Sequence, residues 1–139
     1  MKNKISKLDE KNITFLEEIK TVYVKSGSGI NGAKKAFDEL EIKLKSIKGR
    51  KMYGIYWQGD YYACSKIKPI DNLQRLELDT YIIPAGKYAK LIMCDWFDKL
   101  HLIASAFDQI KKENAYDRSR PEIEYYERFN KLILYLPII

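Results

Sequence analysis

The segment EIEYYERF, Glu122 to Phe129, interleaves carboxylates with aromatic rings. Read as a strand, it sends Ile123, Tyr125 and Phe129 to one face and Glu122, Glu124, Tyr126 and Arg128 to the other. A carboxylate among tyrosines suits a lipophilic cation, which gains from both the charge and the aromatic faces. A carboxyl in an apolar pocket also has a raised pKa and can act as general acid or base near neutral pH. Glu124 is therefore a candidate for binding or for hydrolysis, and the solvated side of an edge strand would account for it equally well.

The rest of the chain offers little competing chemistry. His101 is the only histidine, and Cys64 and Cys94 lie in no CxxC pair, which argues against zinc, a disulfide scaffold or a histidine-based triad. No metal or cofactor is expected. The formal charge of +6 raises nucleic acid as a partner, but the lysines are dispersed and no helix-turn-helix pattern is present. A lysine-rich solvated surface is the simpler reading, and nucleic acid is not the expected partner. No apolar run approaches the roughly 20 residues that span a bilayer, and the charged N-terminus lacks a signal-peptide core, so no membrane and a cytoplasmic location are expected.

Two near-identical words show how the candidate carboxylate is positioned. AFDEL begins at Ala36 and AFDQI at Ala106, 70 positions on. Ile30, Ala33, Phe37 and Leu40 draw one apolar helical face, and Leu100, Ile103, Phe107 and Ile110 repeat it at the same offset. Self-similarity at fixed offset marks a duplicated unit. The first helix is predicted over about Ile30–Ile47 with Gly49 as its stop, and the second over about Asp95–Asn114 with Asp95 as its cap.

Strands are predicted over Asn12–Lys25, Lys51–Trp57, Tyr61–Ile67, Leu76–Ile83 and Lys87–Cys94, followed by a last hairpin, EIEYYERF and LILYLPI, through Asn130. QGD and PAG supply turns between neighbouring strands. Each half then reads strand, helix, strand, strand. The expected fold is α+β: an antiparallel sheet with both helices on one face and a ligand cleft on the other. The 70-residue offset matches Gly54 to Glu124 and Tyr56 to Tyr126, which places Met52, Gly54 and Tyr56 on the face of Glu124. Tyr56, Trp57, Tyr62 and Trp96 are the candidates for an aromatic surround. Strict alternation turns Trp57 toward the helices, and Trp96 opens the second helix, so both are also candidates for the core.

From Ile82, IIPAGKYAKLIMC, then a helix, then RPEIEYYERFNKLILYLPI resembles the GyrI-like small-molecule-binding domain. The most specific parts are IPAGKYA, the spacing of Pro121, Glu124 and Tyr126, and the terminal LPI. The similarity covers about Ile13 to Ile138, so residues 1–139 are expected to form one domain with pseudo-repeats near 13–70 and 82–139. It implies two pseudo-symmetric modules with a ligand cleft between them. In this family the domain is the effector sensor of AraC- and MerR-type multidrug regulators, and it also occurs alone in gyrase-inhibitory, drug-sequestering or drug-hydrolysing proteins. Glu124 matches the family's pocket glutamate, and Tyr126 the aromatic two places on.

The dozen residues before Ile13 are too few for a DNA-binding domain, so none is expected in these 139 residues, unlike the regulators. A stand-alone binder of amphipathic or cationic aromatic ligands is therefore the expected function. The alternatives are a hydrolase of reactive drug-like electrophiles using Glu124, and an interaction protein acting on a partner such as DNA gyrase. The basic surface argues against mimicry of DNA in the last case.

Overall fold

Eight runs rich in Ile, Val, Leu and Tyr form one antiparallel sheet in the computed structural model, which describes residues 13–26, 32–95, 101–128 and 130–139. The strands are β1 (Ile13–Leu16), β2 (Ile19–Ser26), β3 (Met52–Trp57), β4 (Asp60–Lys66), β5 (Asp79–Ile83), β6 (Gly86–Cys94), β7 (Glu122–Arg128) and β8 (Lys131–Pro137). The helices are α1 (Ala33–Leu44), α2 (Leu73–Leu76) and α3 (Ile103–Glu113). None of them is long and apolar enough to cross a membrane.

The sheet order, β1-β6-β8-β7-β3-β4-β2-β5, is the same from either end once the halves are exchanged. β3 and β7 meet at the centre, and Gly54 lies directly opposite Glu124. Those two positions are 70 apart in sequence, so the pseudo-twofold axis passes between them. α1 and α3 begin 70 residues apart as well, at Ala33 and Ile103, and Phe37 and Phe107 take equivalent places in them. The outer strands are exchanged: β1 of the first half pairs with β6, and β5 of the second pairs with β2. This exchange explains why the stretch predicted as one strand from Asn12 to Lys25 is two. Its parts serve opposite edges of the sheet and break at Glu17 and Glu18.

Other boundaries differ for local reasons. Leu76 is not in a strand, because the Asn72 side chain accepts a hydrogen bond from the Arg75 N–H at 3.1 Å and starts the turn of α2. α1 ends before Gly49, at Lys45, which takes a left-handed conformation and returns its N–H to the Glu41 carbonyl. Asp95 is not the cap of α3. It also has positive φ, and its N–H bonds the Asn130 carbonyl at 2.7 Å, tying the end of β6 to the last hairpin. The N-cap of α3 is Leu102.

Both helices pack on one face. Leu40, Ala36 and Leu44 cover Val22, Met52 and Ala63, while Ile103, Phe107 and Ile110 cover Leu91, Leu132, Leu134 and Leu136. The opposite face carries Tyr53, Ile55, Cys64, Tyr88, Ile123, Ile133 and Tyr135, and the sheet curls into a half-barrel around them. Tyr53 stacks on Tyr125 at 4.7 Å there, and Tyr62 on Tyr81 at 5.2 Å. Cys64 is buried and Cys94 exposed, and no disulfide joins them.

The predicted alternation holds from Glu122 to Tyr126, where the faces are reversed; the register shifts between Tyr126 and Arg128, and Phe129 lies outside the described residues. Glu124 shares its face with the helices, and Ile123 and Tyr125 point to the helix-free side. The apolar stripes of α1 and α3 need an apolar floor, and the residues in register with Glu124, such as Leu134 and Ala63, supply it. The aromatic residues on the other side bury themselves by curvature.

A buried ion pair closes the first module. Arg50, just ahead of β3, grips Asp71 with both terminal nitrogens, and the side chains are only 8% and 4% exposed. Asp71 also accepts the Lys68 N–H at 2.8 Å. Asp71→Asn is expected to cost about 3 kcal/mol at neutral pH, because it leaves a buried guanidinium without its charge partner. The hydrogen bonds from Arg50, chiefly, hold the Asp71 pKa below the usual carboxylate value. A depressed carboxylate stabilises above its unfolded pKa, and that contribution is lost as pH falls through its folded pKa. Urea unfolding of the two proteins should therefore differ near neutrality and converge in strong acid.

Candidate functional site

Glu124 sits at the middle of β7 and is 6% exposed. The hydroxyls of Tyr61 and Tyr126 both donate to its Oε1, each at 2.7 Å. Among the described residues no cation bonds this carboxylate. Phe37 of α1 closes the group from above, with its ring edge-on to Tyr61 at 6.0 Å and to Tyr126 at 5.5 Å. Burial pushes the Glu124 pKa up, and the two tyrosine hydrogen bonds oppose that shift. The pKa values of Tyr61 and Tyr126 are raised well above normal, first by burial and then by the nearby carboxylate, so both remain donors.

Gly54 makes this arrangement fit. A Cβ there would overlap the Tyr61 hydroxyl and come within 2.6 Å of Glu124 Oε1. Where one module carries the glutamate, the other leaves the space into which a tyrosine from β4 reaches. Met52 faces Tyr126 across the central strand pair, and Tyr56 faces Glu122. Tyr56 is 41% exposed, which places it at the rim.

The structure thus brings Glu124, Tyr126, Gly54, Met52 and Tyr56 onto one face. It does not bring Trp57 and Tyr62 there. Both pack on the helix-free side, where Tyr62 meets Tyr23 and Tyr81. Trp96 lies outside the described residues. Sequence reasoning missed Tyr61 and the role of Phe37. A signal for Tyr61 existed in the turn. Gln58 and Gly59 both have positive φ, the signature of a two-residue hairpin loop, and this pairs Tyr56 with Tyr61. A three-residue QGD turn would have paired Tyr56 with Tyr62.

A second polar group lies two residues along β7. Glu122 Oε2 pairs with Lys111 of α3 at 2.7 Å and accepts a long hydrogen bond from Tyr116 at 3.5 Å. The ammonium also sits over the Tyr116 ring, 4.8 Å from its centre. No group of three His, Cys, Asp or Glu among the described residues is placed to hold a metal ion.

Arg120 explains why three separate sequence motifs occur together. Its guanidinium lies over the Tyr88 ring at 4.8 Å and packs against Gly86, both in IPAGKYA. Nη2 donates to the carbonyls of Lys87 at 3.2 Å and of Ile138, in the terminal LPI, at 2.8 Å. Nε is held by Asp117 at 2.9 Å. Arg120 precedes Pro121 at the head of β7, so this junction sets where the strand carrying Glu124 begins.

No family model and no curated protein matches the chain. Solved structures do. The EcmrR C-terminal domain aligns with a TM-score of 0.67 at 12% identity, over 91% of this chain and 95% of that one. SAV2435 bound to tetraphenylphosphonium aligns with a TM-score of 0.61 at 12% identity, over 91% and 92%. A hydrolase from Listeria innocua aligns with a TM-score of 0.58 at 15% identity, over 91% and 90%. Identities this low show the fold alone. One structure with this fold, SAV2435, holds tetraphenylphosphonium.

Proposed function

We propose that this protein binds lipophilic aromatic cations at Glu124, among the rings of Tyr61, Tyr126 and Phe37. One observation carries the reading: a buried carboxyl whose bonded neighbours are neutral hydroxyls, walled by aromatic rings. Such a group lacks a counter-charge, and a ligand cation supplies it together with apolar surface for the surrounding rings. SAV2435, which shares the fold, is described with tetraphenylphosphonium, and this supports the ligand class. Binding of this kind serves sensing or sequestration. Titration calorimetry with tetraphenylphosphonium tests it, and absence of saturable binding would overturn it.

The pH dependence follows from the raised Glu124 pKa. A bound cation favours the ionised carboxylate, so the pKa falls on binding and a proton is released. Cation affinity should then rise with pH, by up to about tenfold per unit, until it levels off above the pKa of the unliganded protein. A neutral aromatic ligand should show no such rise. Calorimetry across the acid to neutral range, in buffers of differing ionisation enthalpy, reads the proton directly.

The same carboxyl supports a second reading, as a general base that activates water against an electrophilic ligand. The raised pKa and the fold shared with the Listeria innocua hydrolase favour it. Incubation with a reactive epoxide, comparing the wild type with Glu124→Gln, separates turnover from binding.

A further inference from the structure

The two modules differ at matched positions in a way that bears on ligand charge. Glu122 and Glu124 alternate on β7 and so face the same side, about 7 Å apart along the strand. Their counterparts in β3, 70 residues earlier, are Met52 and Gly54. β3 therefore brings no carboxylate to this face at the matched positions. The second brings two, and one of them is already neutralised. Lys111 closes on Glu122 Oε2 at 2.7 Å, and the Glu122 side chain is 14% exposed. Burial opposes the charge on Lys111, but the hydrogen bond and field of Glu122 outweigh it and raise the pKa, so the ammonium stays charged at neutral pH. The position equivalent to Lys111 in α1 is Glu41, which is exposed. At these matched positions the second module therefore carries acid on the strand and base on the helix together, and the first carries neither.

We infer that Lys111 is a specificity-determining residue that sets the charge the site reads to one, by occupying the second carboxylate on the ligand-facing side. This rests on the cation-binding reading of Glu124. With Lys111 in place, a monocation finds one open acidic partner and a second positive charge meets an ammonium close by. Without Lys111, Glu122 becomes a second anionic point beside the exposed ring of Tyr56 at the rim. An aromatic dication then gains a partner that a monocation does not need.

Ethidium and propidium share one phenanthridinium ring, and propidium adds a second, quaternary ammonium charge. The wild type should bind ethidium at least as tightly as propidium, measured by fluorescence titration at fixed ionic strength. Lys111→Met should raise the propidium-to-ethidium affinity ratio by about tenfold. Lys111→Arg, which retains a cation on Glu122, should keep the wild-type ratio. Glu122→Gln leaves Lys111 uncompensated, so it should lower propidium affinity more than ethidium affinity. A purely structural role for the ion pair would shift thermal stability and both affinities together, leaving the ratio fixed, and that result overturns the inference alone. If neither dye nor tetraphenylphosphonium binds the wild type, the cation-binding reading falls and takes this one with it.

Discussion

Glu124→Gln should weaken tetraphenylphosphonium binding by about tenfold or more while changing the affinity for a neutral aromatic of similar shape far less. Glutamine keeps the size of the side chain and an oxygen that can accept from Tyr61 and Tyr126. What it removes is the charge. Charge-assisted interactions contribute about 1.5–3 kcal/mol, which corresponds to roughly tenfold to a hundredfold in affinity. Burial strengthens the case, since a carboxylate 6% exposed is poorly screened by water and salt. Tyr126→Phe should be milder. It keeps the ring against Phe37 and removes one of the two donors to Oε1. Calorimetry on the three proteins with one cationic and one neutral ligand is sufficient. Equal losses for both ligands would mean that Glu124 only holds the site's shape.

The sequence made the architecture readable because the evidence for it is repeated. The stripe through Phe37 and Leu40 recurs through Phe107 and Ile110, and both stripes become helices that pack on one sheet face. The same offset put Met52, Gly54 and Tyr56 on the face of Glu124, as observed, but it relates equivalent positions and not paired ones: the central strands set Gly54 opposite Glu124 and Tyr56 opposite Glu122. The choice of face was not readable. β7 is apolar or aromatic on both sides, since Ile123 and Tyr125 point one way and Tyr126 the other, so parity sorts its side chains without saying which group the helices cover. That depends on the curl of the whole sheet. Tyr61 was lost through one residue of turn length, which flips every later side chain of β4 to the other face. The break between β1 and β2 reflects strand exchange between the halves, a long-range pairing with no local mark.

Gly54→Ala should damage the site more than a single methyl group usually would. The new Cβ would occupy the volume of the Tyr61 hydroxyl and approach Glu124 Oε1 to 2.6 Å. Tyr61 is 1% exposed and is held between the sheet and Phe37, so its ring has little room to retreat. The substitution therefore breaks the Tyr61–Glu124 hydrogen bond or displaces the strand, and overpacking of this kind costs about 1–3 kcal/mol. Tyr126 alone would then donate to Oε1. Cation affinity should fall by more than tenfold, a loss of over about 1.4 kcal/mol in binding. Adding Tyr61→Phe to Gly54→Ala removes the clashing oxygen. The double variant should regain much of the thermal stability, yet it should not regain cation binding, because the second donor is still missing. Thermal unfolding and calorimetry on the single and double variants separate these effects. If Gly54→Ala alone retains wild-type stability and affinity, then Tyr61 does not occupy the space above this glycine, and the carboxylate is held by Tyr126 without it.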